Sequence, residues 1–433
     1  MITVGLISIA VLFFLIMLQV PVGAALGIVG FVGIFVLSGA NSALGVLATS
    51  VYSSLSSYTM SVVPLFILMG YFAFYAGLSR AVYRAANLWL SWLRGGMAMG
   101  TVVGCAGFAA CCGSSVATGA TMTTIALPEM RKYDYDDHLI TGSLAAGGTI
   151  GILIPPSICF VIYGIITEQS IGKLFIAGII PGIMEVGLYL LTIYVLCRIK
   201  PELAPKKPST HITSREKLRA GLDVWPIALL FILVIGGIYG GIFTPTEAGG
   251  VGAFGAFLLM TLKKKFTSRN LLGALFDTGR TTAMVFFIFV GATIFGYLLA
   301  ISQLPMLVAS WIAPLTLNRY VVLICILLLF SVLGCMMDSL AIILLVVPII
   351  FPTILKLGFD PIWFGVIMVK VSEIALITPP VGLNVYVVKA AAPDVPLTTI
   401  FRGVLPFLAA DIVNTILLIV FPQLSTFLPN LMR

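Results

Sequence analysis

The feature that most constrains this chain is a duplication. Cys112 to Ser157 returns in degraded form 224 residues later as Met336 to Val381: without a gap, Pro128 falls on Pro352, Lys132 on Lys356, Asp136 on Asp360 and Pro155-Pro156 on Pro379-Pro380. The same offset sets Pro21 on Pro245 and the apolar stretch from about 174 to 198 on that from about 398 to 422, with a shift of three in the middle (Phe66 onto Phe287). A repeat read first decides how every later segment is assigned. Two halves with one order of elements are expected, 1–198 and 224–433, joined by a linker over 199–223.

A soluble chain of 433 residues carries about a quarter charged residues, whereas this one has 60% hydrophobic and 9% charged residues. It reads as an all-α polytopic membrane protein. Spans of about 20 residues are expected at about 3–20, 22–39, 60–78, 139–167 and 174–198, then at 224–243, 246–262, 281–301, 362–391 and 402–422. The first has no basic n-region or small-residue cleavage site and is read as a true span rather than a signal peptide. The seven cysteines lie in apolar segments and only His138 and His211 occur, which leaves no zinc or haem spacing. The formal charge of +8 falls in loops between spans, as orientation by the positive-inside rule requires, and excludes a nucleic-acid reading.

Two segments do not fit as spans in each half. Ser79 to Gly96 and Gln303 to Asn318 read as interfacial helices. The segments 97–130 and 319–355 are apolar but interrupted at Cys112-Gly113-Ser114-Ser115 and Met336-Met337-Asp338-Ser339. Half-helices of about 15 residues reach roughly 22 Å at 1.5 Å per residue, short of the ~30 Å hydrocarbon core. Re-entrant hairpins are expected, each beside a span broken at its double proline.

Five crossings per half is odd, so a directly joined second copy inserts upside down. Charge agrees: the linker carries Lys200, Lys206, Lys207, Arg215, Lys217 and Arg219, which places it in the cytoplasm and the N-terminus outside. The loop expected from Gly39 to Tyr58 then lies outside and has no charge, while its inverted counterpart, about Lys263 to Arg280, is cytoplasmic and basic.

Irregular backbone at membrane depth survives only where it is buried in protein or lines a wet cavity. Freed carbonyls at Cys112, Gly151, Ile154 and Pro156, and at Gly334, Ala375, Thr378 and Val381, could form two pseudosymmetric sodium sites. Half-helix N-termini after Gly113 and Met337 favour an anionic guest. The candidate substrate residues are Ser114, Ser115, Thr118, Asp338, Ser339 and Asn384. Inverted repeats with broken helices at a central site are the signature of alternating-access transport.

Glu185, Glu247, Asp338, Lys370, Glu373 and Asp411 fall within spans or a tip, where charges are functional candidates. Lys370 and Glu373, at i and i+3, can neutralise one another. Glu247 reads as a helix cap, and Glu185 and Asp411 stand where a partner chain could face them. Trp89, Trp92, Trp225, Trp311 and Trp363 fall at helix ends and read as interfacial anchors. An intramembrane hydrolase built on Ser114 or Ser115 lacks a histidine in any span.

Phe108 to Thr118 (FAACCGSSVAT), Ile125 to Met130 (IALPEM), Gly151 to Ser157 (GILIPPS), Gly241 to Gly249 (GIFTPTEAG) and Thr378 to Asn384 (TPPVGLN) together resemble the large membrane subunit of the TRAP transporters, the tripartite ATP-independent periplasmic carriers. The resemblance spans essentially the whole chain. It implies a sodium-driven elevator whose hairpins and broken helices move against a scaffold of the other spans and arm helices. It also implies a small four-helix membrane subunit on a separate chain, a periplasmic binding protein that delivers a small organic acid, and the bacterial inner membrane as location. Where family members often have a hydroxyl residue before Gly-Ser-Ser, this chain has Cys111-Cys112, which matters little to an ion held by carbonyls. A carrier of the same architecture working without a binding protein is the other transport reading.

Overall fold

The computed structural model describes residues 1–204, 213–312 and 318–432. Every regular element among them is helical, and seven helical segments are long and apolar enough to cross a membrane. The outward faces of the helices carry large apolar side chains such as Phe14, Val36, Phe254 and Ile416, the surface that lipid rather than water tolerates.

α1 (Ile2–Met17) leads into α2 (Val22–Ser56). The loop expected from Gly39 to Tyr58 is instead the second arm of α2, which bends at Gly39, φ 83° and ψ 173°. Ala, Leu, Val and Ser fill that arm without a proline, so helix continues once glycine has taken the turn that other residues resist. α3 (Val62–Tyr75) crosses next, and α4 (Leu78–Leu90) follows. α4 buries Val82, Tyr83 and Ala86 while Arg80, Arg84 and Trp89 are exposed, the two faces expected of an interfacial helix.

The first interrupted segment is α5 (Gly96–Cys112) and α6 (Ser115–Arg131). The first broken span is α7 (Asp137–Thr149), a 3₁₀ turn at Ile150–Ile152, and α8 (Ile158–Thr167), with a cis bond between Pro155 and Pro156. α9 (Ile171–Ile199) ends the half. Part of the linker is helical, α10 (Ser214–Leu222), opened by a capping box from Thr213 to Glu216; Lys206 and Lys207 lie outside the described residues.

The second half begins with α11 (Trp225–Phe231), which passes through a π-helical stretch at Ile232–Gly236 into the single turn α12 (Gly237–Tyr239). α13 (Pro245–Leu262) follows, then α14 (Ser268–Ser302), 35 residues long. The basic loop expected over Lys263 to Arg280 therefore shrinks to its first residues, because Thr267 caps a helix at Asn270 N. α15 (Leu304–Ile312) occupies the second interfacial segment; the Trp311 side chain and residues 313–317 lie outside the described residues. α16 (Arg319–Gly334) and α17 (Ser339–Lys356) form the second interrupted segment, and α18 (Pro361–Ile377) and α19 (Leu383–Ala391) the second broken span, with Pro379–Pro380 cis. α20 (Leu397–Val420) and α21 (Gln423–Asn430) close the chain.

Small residues let α2 and α14 approach to backbone contact. Side chains built on Gly23, Gly30 and Gly33 would strike Phe287, Phe295 and Leu298, so the two helices run in the same direction. α3 and α13 do likewise: Gly249 meets Leu65 and Gly252 meets Met69. A Cβ on Gly291 would overlap the Gly23 carbonyl. Gly291→Val should therefore cost about 1–3 kcal/mol through overpacking, seen as a lower melting temperature of the purified protein; an unchanged melt would contradict this packing.

Trp363 departs from the interfacial reading. It is 2% exposed, stacks on Phe359 at 5.3 Å and donates Nε1–H to the Leu418 carbonyl at 2.8 Å. Proline at N1 and the cap from Asp360 to Trp363 N turn this third helical residue inward against α20.

Candidate functional site

At the first interruption Gly113, φ 62°, ends α5 in the left-handed conformation. Ser114 then extends, φ −135°, and its Oγ accepts from Ala117 N at 3.4 Å, capping α6. Opposite lies the first break. Ser157 Oγ donates to the Ile152 carbonyl at 2.5 Å and accepts from Phe160 N at 3.4 Å, so one hydroxyl closes the loop and caps α8.

The glycines bring these pieces together. A Cβ on Gly113 would sit 2.5 Å from the Pro156 carbonyl oxygen, and one on Gly151 would sit 2.7 Å from the Ser114 carbonyl oxygen and 2.9 Å from Thr118 Oγ1. Of the expected first sodium set, Gly151 and Pro156 thus meet the tip that carries Cys112; Ile154 faces Gly182 of α9 through its side chain. Thr118 Oγ1 is buried without a hydrogen-bond partner. Asn384, from α19, reaches across the halves: its Nδ2 donates to the Ala145 carbonyl at 3.4 Å and lies beside Gly148, which itself touches Gly119. Asn384 Oδ1 is also buried and unpartnered. Buried polar atoms are ordinarily satisfied; these two oxygens beside one break have no protein donor among the described residues.

At the second interruption Asp338 occupies the position of Ser114. Its Oδ1 accepts from Ala341 N at 2.9 Å and caps α17, while Ser339 Oγ is buried and unpartnered. A Cβ on Gly334 would sit 2.5 Å from the Ala375 Cβ, so these two members of the second expected set are in contact. Thr378 and Val381 lie on the open side of the break, Val381 being 37% exposed. Thr378 Oγ1 donates to the Ile374 carbonyl at 2.6 Å. The first site is closed by its tip; the second is open along one edge. Ser115 is buried at the start of α6.

Sequence reasoning missed the wall facing the first tip. Gly70 of α3 lies against Cys111 and Cys112, since a Cβ there would be 3.0 Å from the Cys111 carbonyl oxygen. Beside it a cavity of about 200 Å³ is lined by Gly70, Tyr71, Cys112, Ser114, Thr121 and Thr281. Tyr71 and Thr281 hydroxyls are 2.9 Å apart. Gly70, Tyr71 and Thr281 belong to spans whose sequence shows only an apolar run.

The intramembrane charges also sort themselves. Glu247 forms a capping box with Thr244, accepting from its N–H at 2.8 Å, as read from sequence. Lys370 does pair with Glu373, at 3.1 Å, but Glu185 and Asp411 turn inward to the same ammonium, each at 2.7 Å, rather than towards another chain.

Two interrupted helix pairs, each facing a broken span with unsatisfied polar atoms in a multi-span helical body, define a membrane carrier. The chain matches the family described as tripartite ATP-independent periplasmic transporter, DctM component, over residues 9–424. It belongs to that family as a large membrane subunit, and the family is one of transporters, not enzymes. The C4-dicarboxylate TRAP transporter large permease protein DctM of Pseudomonas aeruginosa is 38% identical over 385 residues, 89% of each chain. The sialic acid TRAP transporter large permease protein SiaM of Vibrio cholerae is 32% identical over 412 residues, 95% of each chain. Among solved structures, the Alcanivorax borkumensis YdaH transporter superposes with a TM-score of 0.63 at 17% identity, over 89% of this chain and 90% of that one. Neisseria gonorrhoeae MtrF gives 0.56 at 12%, over 90% and 85%. At such identities these two speak for the fold alone.

Proposed function

We propose that this chain is the translocating subunit of a sodium-coupled importer of small organic acids, working by an elevator movement in the bacterial inner membrane with its N-terminus in the periplasm. A small membrane subunit on another chain would complete the scaffold, and a periplasmic protein would deliver the acid. The observation that carries the reading is the closed first site: the Pro156 carbonyl packs on Gly113 of the tip, and Gly151 packs on Thr118, whose buried Oγ1 has no partner, where two half-helices meet. Carbonyl oxygens freed from helix suit a hard monovalent cation, and the N-terminus of α6 suits a carboxylate.

Inversion of the second half is supported by helix direction. In a direct repeat the second span of one half would run against the third span of the other; in an inverted repeat they run together. α2 with α14 and α3 with α13 both run together. The hairpins would then be re-entrant from opposite faces, with Asn384 reaching from the second half to the first site. The sets at Cys112, Gly151, Ile154 and Pro156 and at Gly334, Ala375, Thr378 and Val381 are the sodium ligands of this reading, and Ser114, Ser115, Thr118, Asp338, Ser339 and Asn384 line the route of the anion. Relatives named for C4-dicarboxylate, sialic acid and 2,3-diketo-L-gulonate transport favour a carboxylate cargo.

The test is uptake of radiolabelled organic acids into proteoliposomes holding this chain and its small subunit, with the sodium gradient and the binding protein each supplied or withheld. Uptake requiring both is expected. Uptake needing no binding protein would support the stand-alone carrier, and uptake indifferent to sodium would refute the coupling. Asp338→Asn keeps a capping side chain but removes the charge. It should lower sodium-driven uptake about tenfold or more, the scale of a charged hydrogen-bonding ligand, with the complex still assembled.

A further inference from the structure

The cavity between the first tip and the wall facing it reaches the first break through Cys112 and Ser114, which line it, yet no charged side chain does. Its apolar flank includes Phe74 and Phe108. Its polar flank is Tyr71 of α3, Thr281 of α14, and Ser114 and Thr121 at either end of the first half of α6. At about 200 Å³ it is roughly an order of magnitude larger than one water requires, so part of an organic guest fits.

These hydroxyls are largely unused by the protein itself. Those of Tyr71 and Thr281 stand 2.9 Å apart, and neither has another hydrogen-bond partner among the described residues. One hydrogen lies between the two oxygens; whichever of them donates it, the other keeps a free hydrogen, and acceptor lone pairs remain. Ser114 Oγ accepts from Ala117 N and so retains its own hydrogen, and Thr121 Oγ1 has no partner among the described residues. Neutral donors and acceptors between apolar walls suit the hydroxyl or carbonyl groups of a short carbon chain. They do not suit a carboxylate, because a buried charge without a counter-charge costs far more than a buried hydroxyl. One helical turn from Tyr71 and Thr281, the Tyr75 hydroxyl donates to Asp277 Oδ2 at 2.8 Å, which sets a negative charge beside the cavity, while Arg280 is exposed. A second carboxylate is repelled there.

The hydroxyl pair is also held firmly. α3 packs on α13 through Gly249 and Gly252, and α14 on α2 through Gly23 and Gly291, so Tyr71 and Thr281 are positioned by rigid helices rather than by the tip. We propose that this cavity receives the neutral, hydroxylated end of the cargo while the carboxylate stays at the first break, with Tyr71 and Thr281 as the specificity-determining hydrogen-bond partners. On the carrier reading proposed above, on which this selectivity rests, the preferred cargo is a hydroxylated monocarboxylate of the sugar-acid kind. An unsubstituted dicarboxylate is discriminated against, and so is an acid without hydroxyls, because it leaves the buried pair without its partner.

The test is dose-dependent thermal stabilisation of the complete transporter in sodium by gluconate, glucuronate, N-acetylneuraminate and lactate, set against hexanoate, propionate and succinate. A hydroxylated acid should bind tightest. Tyr71→Phe keeps the ring and Thr281→Val keeps the shape, and each should weaken binding of that acid about tenfold, the scale of one or two hydrogen bonds; Thr281→Ser, which keeps the hydroxyl, should restore it. Should a variant melt early without ligand, alkylation of the parent at Cys112, followed on its peptide by mass spectrometry, gives the same information: the hydroxylated acid should slow it several-fold and succinate should not. Tightest binding by succinate, hexanoate or propionate, affinity kept in full by both Tyr71→Phe and Thr281→Val, or alkylation of Cys112 indifferent to the bound acid would each overturn the selectivity and leave the carrier standing. Binding of none of these acids by a folded complex would refute the organic-acid reading and this selectivity together.

Discussion

Gly113→Ala should abolish efficient uptake, and Gly358→Ala should not, although both glycines have left-handed backbone, φ 62° and 72°. Strain alone costs an alanine about 1–2 kcal/mol in that region, and it applies equally to the two. The surroundings differ. A methyl at Gly358 meets nothing within 4 Å, whereas one at Gly113 would sit 2.5 Å from the Pro156 carbonyl oxygen, which is backbone and has no rotamer to retreat into. Either the tip withdraws from the break or the Pro156 carbonyl turns, and each opens the first site. In the sodium-coupled cycle proposed above, moving one of its few oxygens should raise the sodium concentration for half-maximal uptake by about tenfold or more, since 1.4 kcal/mol is a factor of ten. Uptake against sodium concentration in proteoliposomes checks it; equal behaviour of the two variants would mean that only backbone strain matters and that the tip does not seal the site.

That contrast shows what sequence can and cannot carry. The tips were legible because Gly-Ser-Ser and Met-Met-Asp each interrupt an apolar run, and the breaks because two double prolines recur at one spacing. The helices from Gly39 to Ser56 and from Ser268 were not, since the count of spans made loops of both segments although neither holds a proline to stop a helix and Ala and Leu favour one. Trp363 read as an anchor because most tryptophans near a span end are exposed; an aspartate cap and the Leu418 carbonyl turned it inward. The difference between the closed first site and the open second one lies in the placement of whole tips, which no local pattern encodes. The Lys370 cluster was half legible. The i, i+3 pair with Glu373 is local, but Glu185 and Asp411 come from α9 and α20, and their shared partner appears only when three helices are assembled.

Lys370→Met should be among the most damaging single substitutions in the chain. It retains an unbranched stem of similar length while removing the one positive charge that three buried carboxyls share. Breaking a buried ion pair from one side costs about 3–5 kcal/mol, because the remaining charge stays desolvated and unpaired. Here the loss reaches helices α9, α18 and α20 together, so the expected result is a lower melting temperature in detergent or failure to insert stably. The companion change separates charge from shape: with Asp411→Asn added, the remaining acids can be neutral, and stability should return in part even though another ionic contact has been deleted. Tyr189 keeps an acceptor in the double variant, because the amide oxygen at position 411 can take the place of the Asp411 Oδ1 to which its hydroxyl donates at 2.7 Å. Thermal melts of the parent, the single variant and the double variant decide it. A double variant less stable than Lys370→Met would mean that attraction among the four groups outweighs their burial, and that the cluster works as a lock between the helices.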